Sequence, residues 1–159
     1  NRIFFLLLLI FLIPSSGLYS QSGKLPPFQI TLHTGKIFRA QNLPLDKPVI
    51  IFYFSPECED CHKFLEEMLE SYDDFLNVSI AMITYLSVER VRSYVSENSL
   101  DKYPNIYVGT EGNSLFVARY YGIRTFPFVV LYDKNGNLIK RYFTKQVNVS
   151  DLIVQLKSL

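Results

Sequence analysis

The chain has 159 residues, of which 48% are hydrophobic and 15% aromatic, and its formal net charge is +1. This length and apolar content can fill one packed core, which excludes a disordered protein and suits one compact domain with a targeting segment. The small net charge gives no electrostatic reason to expect nucleic-acid binding. Two cysteines are too few for a disulfide-scaffolded mini-protein.

The first predicted element is a targeting segment at residues 1–20. Arg2 precedes an unbroken apolar run over residues 3–13. As a helix this run would rise about 16 Å, roughly half the thickness of a bilayer's hydrocarbon core. The pattern is typical of a secretory signal peptide, with an uncleaved membrane anchor as the alternative. We therefore expect an exported protein, periplasmic or otherwise extracytoplasmic, with a linker at 21–27 and a domain at 28–159.

The domain is predicted to open with a β-hairpin. Apolar and polar residues alternate over 28–32, a turn follows at 34–36, and residues 37–38 are again apolar. The continuous apolar run at 49–54 predicts a strand that is buried on both faces. Apolar residues at helical spacing from His62 onward predict an amphipathic helix after it.

Strands and helices continue to alternate in the second half. Further buried strands are predicted at 78–84 and 128–132, and a helix after the first of these has Ser87 as its N-cap. An apolar segment follows at 106–108, whose pairing the sequence does not decide, and a short helix is predicted at 115–121. A returning antiparallel strand is predicted at 138–143, and a last helix after 148 has Asn148 or Ser150 as its N-cap. This order predicts an α/β fold, a central mixed β-sheet flanked by helices.

The only two cysteines, Cys58 and Cys61, lie at the carboxyl end of the first buried strand, where a helix opens. Chemistry in α/β sheets usually lies at this edge. The free N–H groups and dipole of a helix N-terminus stabilise a thiolate, which is the attacking species in disulfide exchange. A disulfide across two residues closes too short a loop to stabilise a whole fold. We therefore predict that Cys58 is exposed and attacks, and that Cys61 lies one turn inside and resolves the mixed disulfide.

Two stretches, at residues 52–64 and 121–133, resemble the active-site region and the downstream proline motif of the thioredoxin superfamily. The hairpin and an extra strand–helix inserted between the motifs are similar to its exported TlpA/ResA-type branch. The resemblance implies a thioredoxin-like fold and a thiol-disulfide oxidoreductase. It also implies that Pro127 is cis and that Phe126 and Pro127 form a ledge where an extended substrate segment hydrogen-bonds.

The resemblance further implies the partners. These are protein dithiol or disulfide substrates and an electron-donor protein of the membrane or periplasm. We expect no cofactor and no metal, and we expect the protein to be a monomer.

The sequence departs from the family pattern at several positions around the cysteines. Glu57 stands where an aromatic residue often precedes the first cysteine, and Phe52 stands where classical thioredoxins have a buried aspartate. Phe64 occupies the position of a glutamate that serves some TlpA-type proteins. Glu66 or Glu67 can substitute only if the helix aims one of them inward. The proton path from the resolving thiol is therefore undefined.

Three residues in and after the cysteine motif are expected to tune the redox potential. Glu59 and Asp60 place negative charge close to Cys58, which disfavours the thiolate. His62 partly offsets this charge if it is protonated. We therefore predict a reductant or weak isomerase rather than a strong oxidase.

Other readings of the motif remain open. The order Cys58, Cys61, His62 also satisfies the pattern for c-type haem attachment, although such motifs usually lie in helical chains. A copper-handling protein could use the same three residues, but copper-delivery relatives of this fold use a distant histidine and none follows His62. A peroxiredoxin would place Thr or Ser, then Pro, ahead of the cysteine at set spacing. Here Pro56 lies two residues before Cys58 and Thr is absent. A redox-inactive binding domain is the last alternative.

Overall fold

A computed structural model of the protein describes residues 23–44 and 46–159. The predicted targeting segment at 1–20 lies outside the described residues. The strands are β1 (Gln29–Leu32), β2 (Ile37–Arg39), β3 (Val49–Tyr53), β4 (Ser79–Thr84), β5 (Ile106–Thr110), β6 (Phe128–Tyr132) and β7 (Leu138–Phe143). The α-helices are α1 (Glu59–Glu70), α2 (Val88–Glu97), α3 (Phe116–Tyr121) and α4 (Val149–Lys157). Across the described part of the chain, no helix is both long and apolar enough to cross a bilayer.

The strands form one mixed sheet in the order β2-β1-β5-β4-β3-β6-β7. The three inner strands β3, β4 and β5 are parallel. The hairpin β1–β2 and the pair β6–β7 add antiparallel strands at the two edges. The predicted mixed α/β sheet is therefore confirmed. The undecided segment at 106–108 belongs to β5, which pairs with β4 on one side and β1 on the other.

The central strand β3 is buried along its whole length and separates two cores. Ile50, Phe52 and Phe54 pack into one core with α1, α2 and α4, and we call this side the cysteine face. Tyr53 and its alternate neighbours pack into the other core with α3, and we call this side the α3 face. Successive side chains of a strand point to opposite sides, so neighbouring residues of β3 serve different cores.

Side-chain caps define where two of the helices begin. The Ser87 hydroxyl accepts a hydrogen bond from the Arg90 amide at the start of α2, as predicted. The Asn148 side chain, rather than Ser150, caps α4 by accepting from the Asp151 amide at 2.9 Å. Such caps satisfy otherwise unpaired helix N–H groups and contribute about 1 kcal/mol each.

The opening hairpin is joined to the inner sheet at a short seam. β1 and β5 pair at two positions, Thr31 with Thr110 and Leu32 with Gly109. A Cβ atom at Gly109 would lie 2.7 Å from the carbonyl oxygen of Thr31, so the approach of the two strands requires glycine. Before β1, Lys24 forms an isolated antiparallel β-bridge with Asn137, which attaches this segment to the β6–β7 turn.

Candidate active site

Cys58 is the N-cap of α1, at the end of the loop that leaves β3. Its backbone is extended, and its sulfur accepts a hydrogen bond from the Cys61 amide at 3.1 Å. The helix begins at Glu59, so the cysteine pair opens it as predicted, although the apolar pattern itself starts only after His62. Glu59 and Asp60 carry no apolar signal, but acidic residues suit the first turn of a helix. The Cys58 sulfur thus lies against a free N–H group of the helix terminus.

The two cysteines form a disulfide with their Cα atoms 5.2 Å apart. Cys61 is fully buried at 0% exposure, whereas Cys58 is half-buried. Of the two sulfurs, that of Cys58 is therefore the one that a partner molecule can approach. This arrangement matches the expected exposure of the pair.

The predicted ledge lies beside the same helix terminus. The Phe126–Pro127 peptide bond is cis and leads directly into β6. Pro127 and Asp60 line a shared groove of about 380 Å³, whose other walls are Lys63, Phe64, Glu67, Thr144, Lys145 and Val147. The Pro127 carbonyl accepts a hydrogen bond from the Thr144 amide. Within residues 23–44 and 46–159, nothing hydrogen-bonds the Phe126 backbone.

The Phe126 side chain is held in a stack of three rings. It lies nearly parallel to Tyr53, with ring centroids 5.9 Å apart, and to Tyr85, with centroids 6.1 Å apart. Tyr53 is buried under it, and Tyr85 is exposed at the outer end. The stack fixes the position of Phe126 next to the cysteine motif.

A buried glutamate that the sequence analysis missed supports this stack from below. Glu111 is 7% exposed, and its Oε1 accepts a hydrogen bond from the Tyr53 hydroxyl at 2.6 Å. The same carboxylate accepts from the amides of Val117 and Ala118 in α3. Burial, together with the bond to Glu111, raises the pKa of Tyr53 far above its usual range. A single glutamate after a short strand gives no sequence signal of burial.

Two acidic residues that flank Cys58, Glu57 and Glu59, form ion pairs. Glu59 pairs with Lys63 at 2.9 Å, and this hydrogen bond holds the pKa of Glu59 below its usual range. Glu57 pairs with Arg90 of α2 at 3.0 Å. In the described chain Asp60 has no ion pair. Of the two acids between the cysteines, Glu59 therefore has a cationic partner among the described residues and Asp60 has none, and their role in tuning the redox potential stays a prediction.

The positions that carry proton acceptors in relatives are apolar here and stay apolar in three dimensions. Phe52 is fully buried and Phe64 is 5% exposed, and their rings meet edge to face with centroids 4.9 Å apart. Glu66 and Glu67 are both exposed, so α1 aims neither of them inward. On the cysteine face, the described residues place no buried carboxylate under Cys61.

His62 holds the loop that precedes Cys58. Its Nε2 lies 2.7 Å from the carbonyl oxygen of Pro56. A carbonyl only accepts, so Nε2 carries the proton and donates. The imidazole packs on Tyr94 of α2, with ring centroids 5.6 Å apart. Of the described residues, no three histidines, cysteines or carboxylates are grouped so that they could hold a metal ion.

Three solved structures illustrate what the fold is similar to. A secreted disulfide oxidoreductase of Mycobacterium tuberculosis, homologous to E. coli DsbE, matches with a TM-score of 0.67 and 19% identity over 84% of this chain and 96% of that chain. The exposed lipoprotein thioredoxin of Streptococcus pneumoniae matches with a TM-score of 0.62 and 20% identity, over 84% and 100%. Arabidopsis thaliana ScoI, solved with copper bound, matches with a TM-score of 0.64 and 20% identity, over 84% and 98%. At these identities the similarity establishes the fold alone.

No curated protein matches the chain by sequence. The sequence profile described as a thioredoxin-like domain matches residues 40–153, a stretch that contains both cysteines and Pro127. The hairpin β1–β2 and additional strand and helix elements between the two motifs, which carried the resemblance to the TlpA/ResA-type branch, are both present. The predicted membership of the thioredoxin superfamily is thus confirmed, and the chain belongs to the thioredoxin-like domain family.

Proposed function

We propose that this protein is an exported thiol-disulfide oxidoreductase that exchanges disulfides with protein substrates and acts as a reductant. One observation carries the proposal. The Cys58–Cys61 disulfide sits at the N-terminus of α1 with Cys58 accessible and Cys61 buried. A structural disulfide does not need a helix N-terminus, whereas an attacking thiolate is stabilised by one.

The reaction uses the two sulfurs in turn. The Cys58 thiolate attacks one sulfur of a substrate disulfide, which forms a mixed disulfide and releases the other substrate sulfur as a thiolate. The Cys61 thiolate then attacks the Cys58 sulfur and releases the second substrate thiolate. Two electrons have moved to the substrate, and the Cys58–Cys61 disulfide remains. A partner dithiol protein returns the electrons by the reverse exchange.

The substrate segment is proposed to lie along Phe126 and Pro127. The Phe126 backbone offers an amide donor and a carbonyl acceptor with no partner in the described chain. An extended peptide can pair with both groups as one strand pairs with another. The groove between Pro127 and the first turn of α1 leaves room for the chain to continue.

The direction of electron flow rests on charge and on proton transfer. Asp60, whose carboxylate has no ion pair among the described residues, stands in the first turn of α1, where it opposes the stabilisation of a thiolate at Cys58. A less stabilised thiolate makes the dithiol a better electron donor. Because the described cysteine face holds no buried carboxylate, the Cys61 proton passes to water.

An extracytoplasmic location fits two further observations. Residues 1–20 have the pattern of a secretory signal. Two proteins of similar fold are described as secreted and as an exposed lipoprotein. Outside the cytosol a dithiol stays reduced only if a donor protein supplies it with electrons.

The test is reduction of the insulin disulfides with dithiothreitol as electron source. The wild-type protein accelerates the reaction, Cys58→Ser abolishes the acceleration, and Cys61→Ser forms a stable mixed disulfide at Cys58 that mass spectrometry detects. Unchanged activity of Cys58→Ser would overturn the mechanism. An equilibrium with glutathione at the strongly oxidising end would overturn the reductant role while leaving the exchange chemistry intact.

A further inference from the structure

Helix α2 contacts the segment 57–62, which contains both cysteines, at two points, one on each side of the cysteine pair. Arg90 and Tyr94 are four residues apart and therefore lie on the same face of α2. Arg90 binds Glu57, the residue before Cys58. Tyr94 packs on His62, the residue after Cys61. The residues that flank the disulfide are thus both held by one face of one helix.

The contact before Cys58 is an ion pair. The Arg90 Nε donates to Glu57 Oε1 at 3.0 Å. The guanidinium also reaches both carboxylate oxygens of Glu97 at 3.4 Å, which orients it along the helix. The side chain of Arg90 is 32% exposed and that of Glu57 is 62% exposed, so the pair lies at the rim of the site. The hydrogen bond that Arg90 donates to Glu57 raises the pKa of Arg90.

The contact after Cys61 is a cluster of rings that are tilted against one another. Tyr94 is fully buried, and its ring lies 4.8 Å from Phe54 and 5.6 Å from His62, measured between centroids. His62 in turn donates to the Pro56 carbonyl, in the same loop as Glu57. This packing keeps α2 and the loop in a fixed relation, so that Arg90 stays within reach of Glu57.

We propose that Arg90 is a positioning residue for the redox pair, which cancels the charge of Glu57 beside Cys58 and so sets the balance between dithiol and disulfide. The inference rests on the proposed function, since it concerns the same cysteines. It gives α2 a role in the chemistry in addition to its packing on the sheet.

The two partners of the ion pair have opposite effects when they are removed singly. Without Arg90, the Glu57 carboxylate repels the Cys58 thiolate, and the dithiol becomes less stable relative to the disulfide. Without Glu57, the guanidinium attracts the thiolate, and the dithiol becomes more stable. With both removed, the two effects cancel. A purely structural bond would produce shifts of the same sign from either removal.

The experiment measures the equilibrium in which the disulfide and two glutathione molecules give the dithiol and oxidised glutathione. The variants are Arg90→Gln, Glu57→Gln and the double variant. Arg92→Gln is the matched control, because Arg92 lies on the same helix but bonds to the His33 carbonyl by the hairpin. One uncompensated charge near an exposed site changes an equilibrium constant by about two- to fivefold.

We expect the constant to fall in Arg90→Gln, to rise in Glu57→Gln, and to return near the wild-type value in the double variant and the control. In 1 M NaCl the differences shrink, because salt screens exposed charges. Shifts of equal sign, no shift, or an equal shift in Arg92→Gln would overturn the role of Arg90. If Arg90→Gln does not fold, the exposed Glu57→Gln variant still decides the sign. A wild-type pair that reaches no equilibrium with glutathione would instead overturn the proposed function.

Discussion

The two faces of the sheet are built from different chemistry, although β3 contributes to both. On the cysteine face, Phe52 packs against Phe64 with no polar group between them. On the α3 face, the neighbouring residue Tyr53 is hydrogen-bonded to a buried carboxylate, Glu111. Tyr121 and Tyr132 also bond to each other there through their hydroxyls. Burial raises the pKa of Tyr132 to about 12.

The protein does have a buried carboxylate, that of Glu111, but it lies on the side of the sheet away from Cys61. Glu111 is committed to the Tyr53 hydroxyl and to two amides of α3. It therefore organises the support of Phe126 and is not placed to take a proton from a thiol. The cysteine face is apolar where Phe52 meets Phe64, and the face behind it holds the hydrogen bonds of Glu111.

The largest expected effect is the loss of hydrogen bonds in Glu111→Gln. The Glu111 carboxylate accepts three hydrogen bonds. The glutamine side chain has only one acceptor oxygen, and its NH₂ group would face at least one of the three donors. Because buried unsatisfied donors are strongly unfavourable, we expect the free energy of unfolding to fall by about 2–4 kcal/mol. Urea denaturation measures this change. The exposed Glu66→Gln serves as control, and equal stability of the two variants would contradict the assigned role of Glu111.

The next effect comes from giving the cysteine face a carboxylate, with Phe64→Glu. Position 64 lies three residues after Cys61 on the same helical face. Loss of the ring and burial of a carboxyl group should lower the free energy of unfolding by about 2–3 kcal/mol. A proton acceptor there should speed the resolving attack of Cys61 at pH 7 by about ten- to a hundredfold. Stopped-flow decay of the glutathione mixed disulfide measures the rate.

Phe64→Leu separates the two consequences of that change, because it removes the ring without adding a carboxylate. We expect it to lose stability but to keep the wild-type rate of resolution. If the Glu and Leu variants resolve at the same rate, proton transfer does not limit the step, and the apolar nature of this face has no kinetic consequence.

A smaller effect is expected at the buried hydroxyl of Tyr94 on the cysteine face. No described residue hydrogen-bonds this hydroxyl, although the ring is fully buried. Burial raises its pKa well above the usual range. Tyr94→Phe keeps the ring contacts and removes the unpaired group, so the free energy of unfolding should rise by up to about 1 kcal/mol. A loss of stability in urea would mean that the hydroxyl has a partner.

The smallest effect concerns the polar rim of the cysteine face, where Asp151 of α4 accepts from Lys140 at 2.8 Å and from Tyr142 at 2.7 Å. The bond from Lys140, and then that from Tyr142, holds the pKa of Asp151 below its usual range. A depressed folded-state pKa contributes stability that is present above the ordinary carboxyl pKa and is lost as the pH falls through the folded value.

We therefore expect the stability difference between wild type and Asp151→Asn to be constant near neutral pH and to shrink as the pH falls below about 4. Urea titrations at a series of pH values measure it. Lys140→Gln should flatten the same limb of the pH profile. A difference that persists unchanged at pH 2 would show that the carboxylate is not what Asp151 contributes.

Sequence patterns located the strands and the cysteine motif because these features are local. The run at 49–54 and the apolar helical face after it depend on neighbouring residues alone. The pairing of β5 could not be read in this way, since its five residues gain their place from β4 and β1. A three-residue apolar segment carries too little periodicity to decide that question.

The site, too, was predictable only where its features are local in the sequence. Cys58, Cys61 and the cis Pro127 came from motifs, whereas the contacts around them did not. Glu57 and Arg90 are 33 positions apart and meet only because α2 docks beside the loop. The burial of Glu111 depends on how α3 returns to the sheet. The sequence shows the acids near Cys58 without the partners that the fold gives them.

The short seam between β1 and β5 has a consequence for self-association. The pairing at Thr31–Thr110 and Leu32–Gly109 covers an edge of the inner sheet that would otherwise present free N–H and C=O groups. If the hairpin detaches, β5 becomes an edge strand that a second molecule can extend. By pairing with β5, the hairpin protects the protein from aggregation through this edge. A side chain at Gly109 would push β1 away and expose the edge without touching the cysteines.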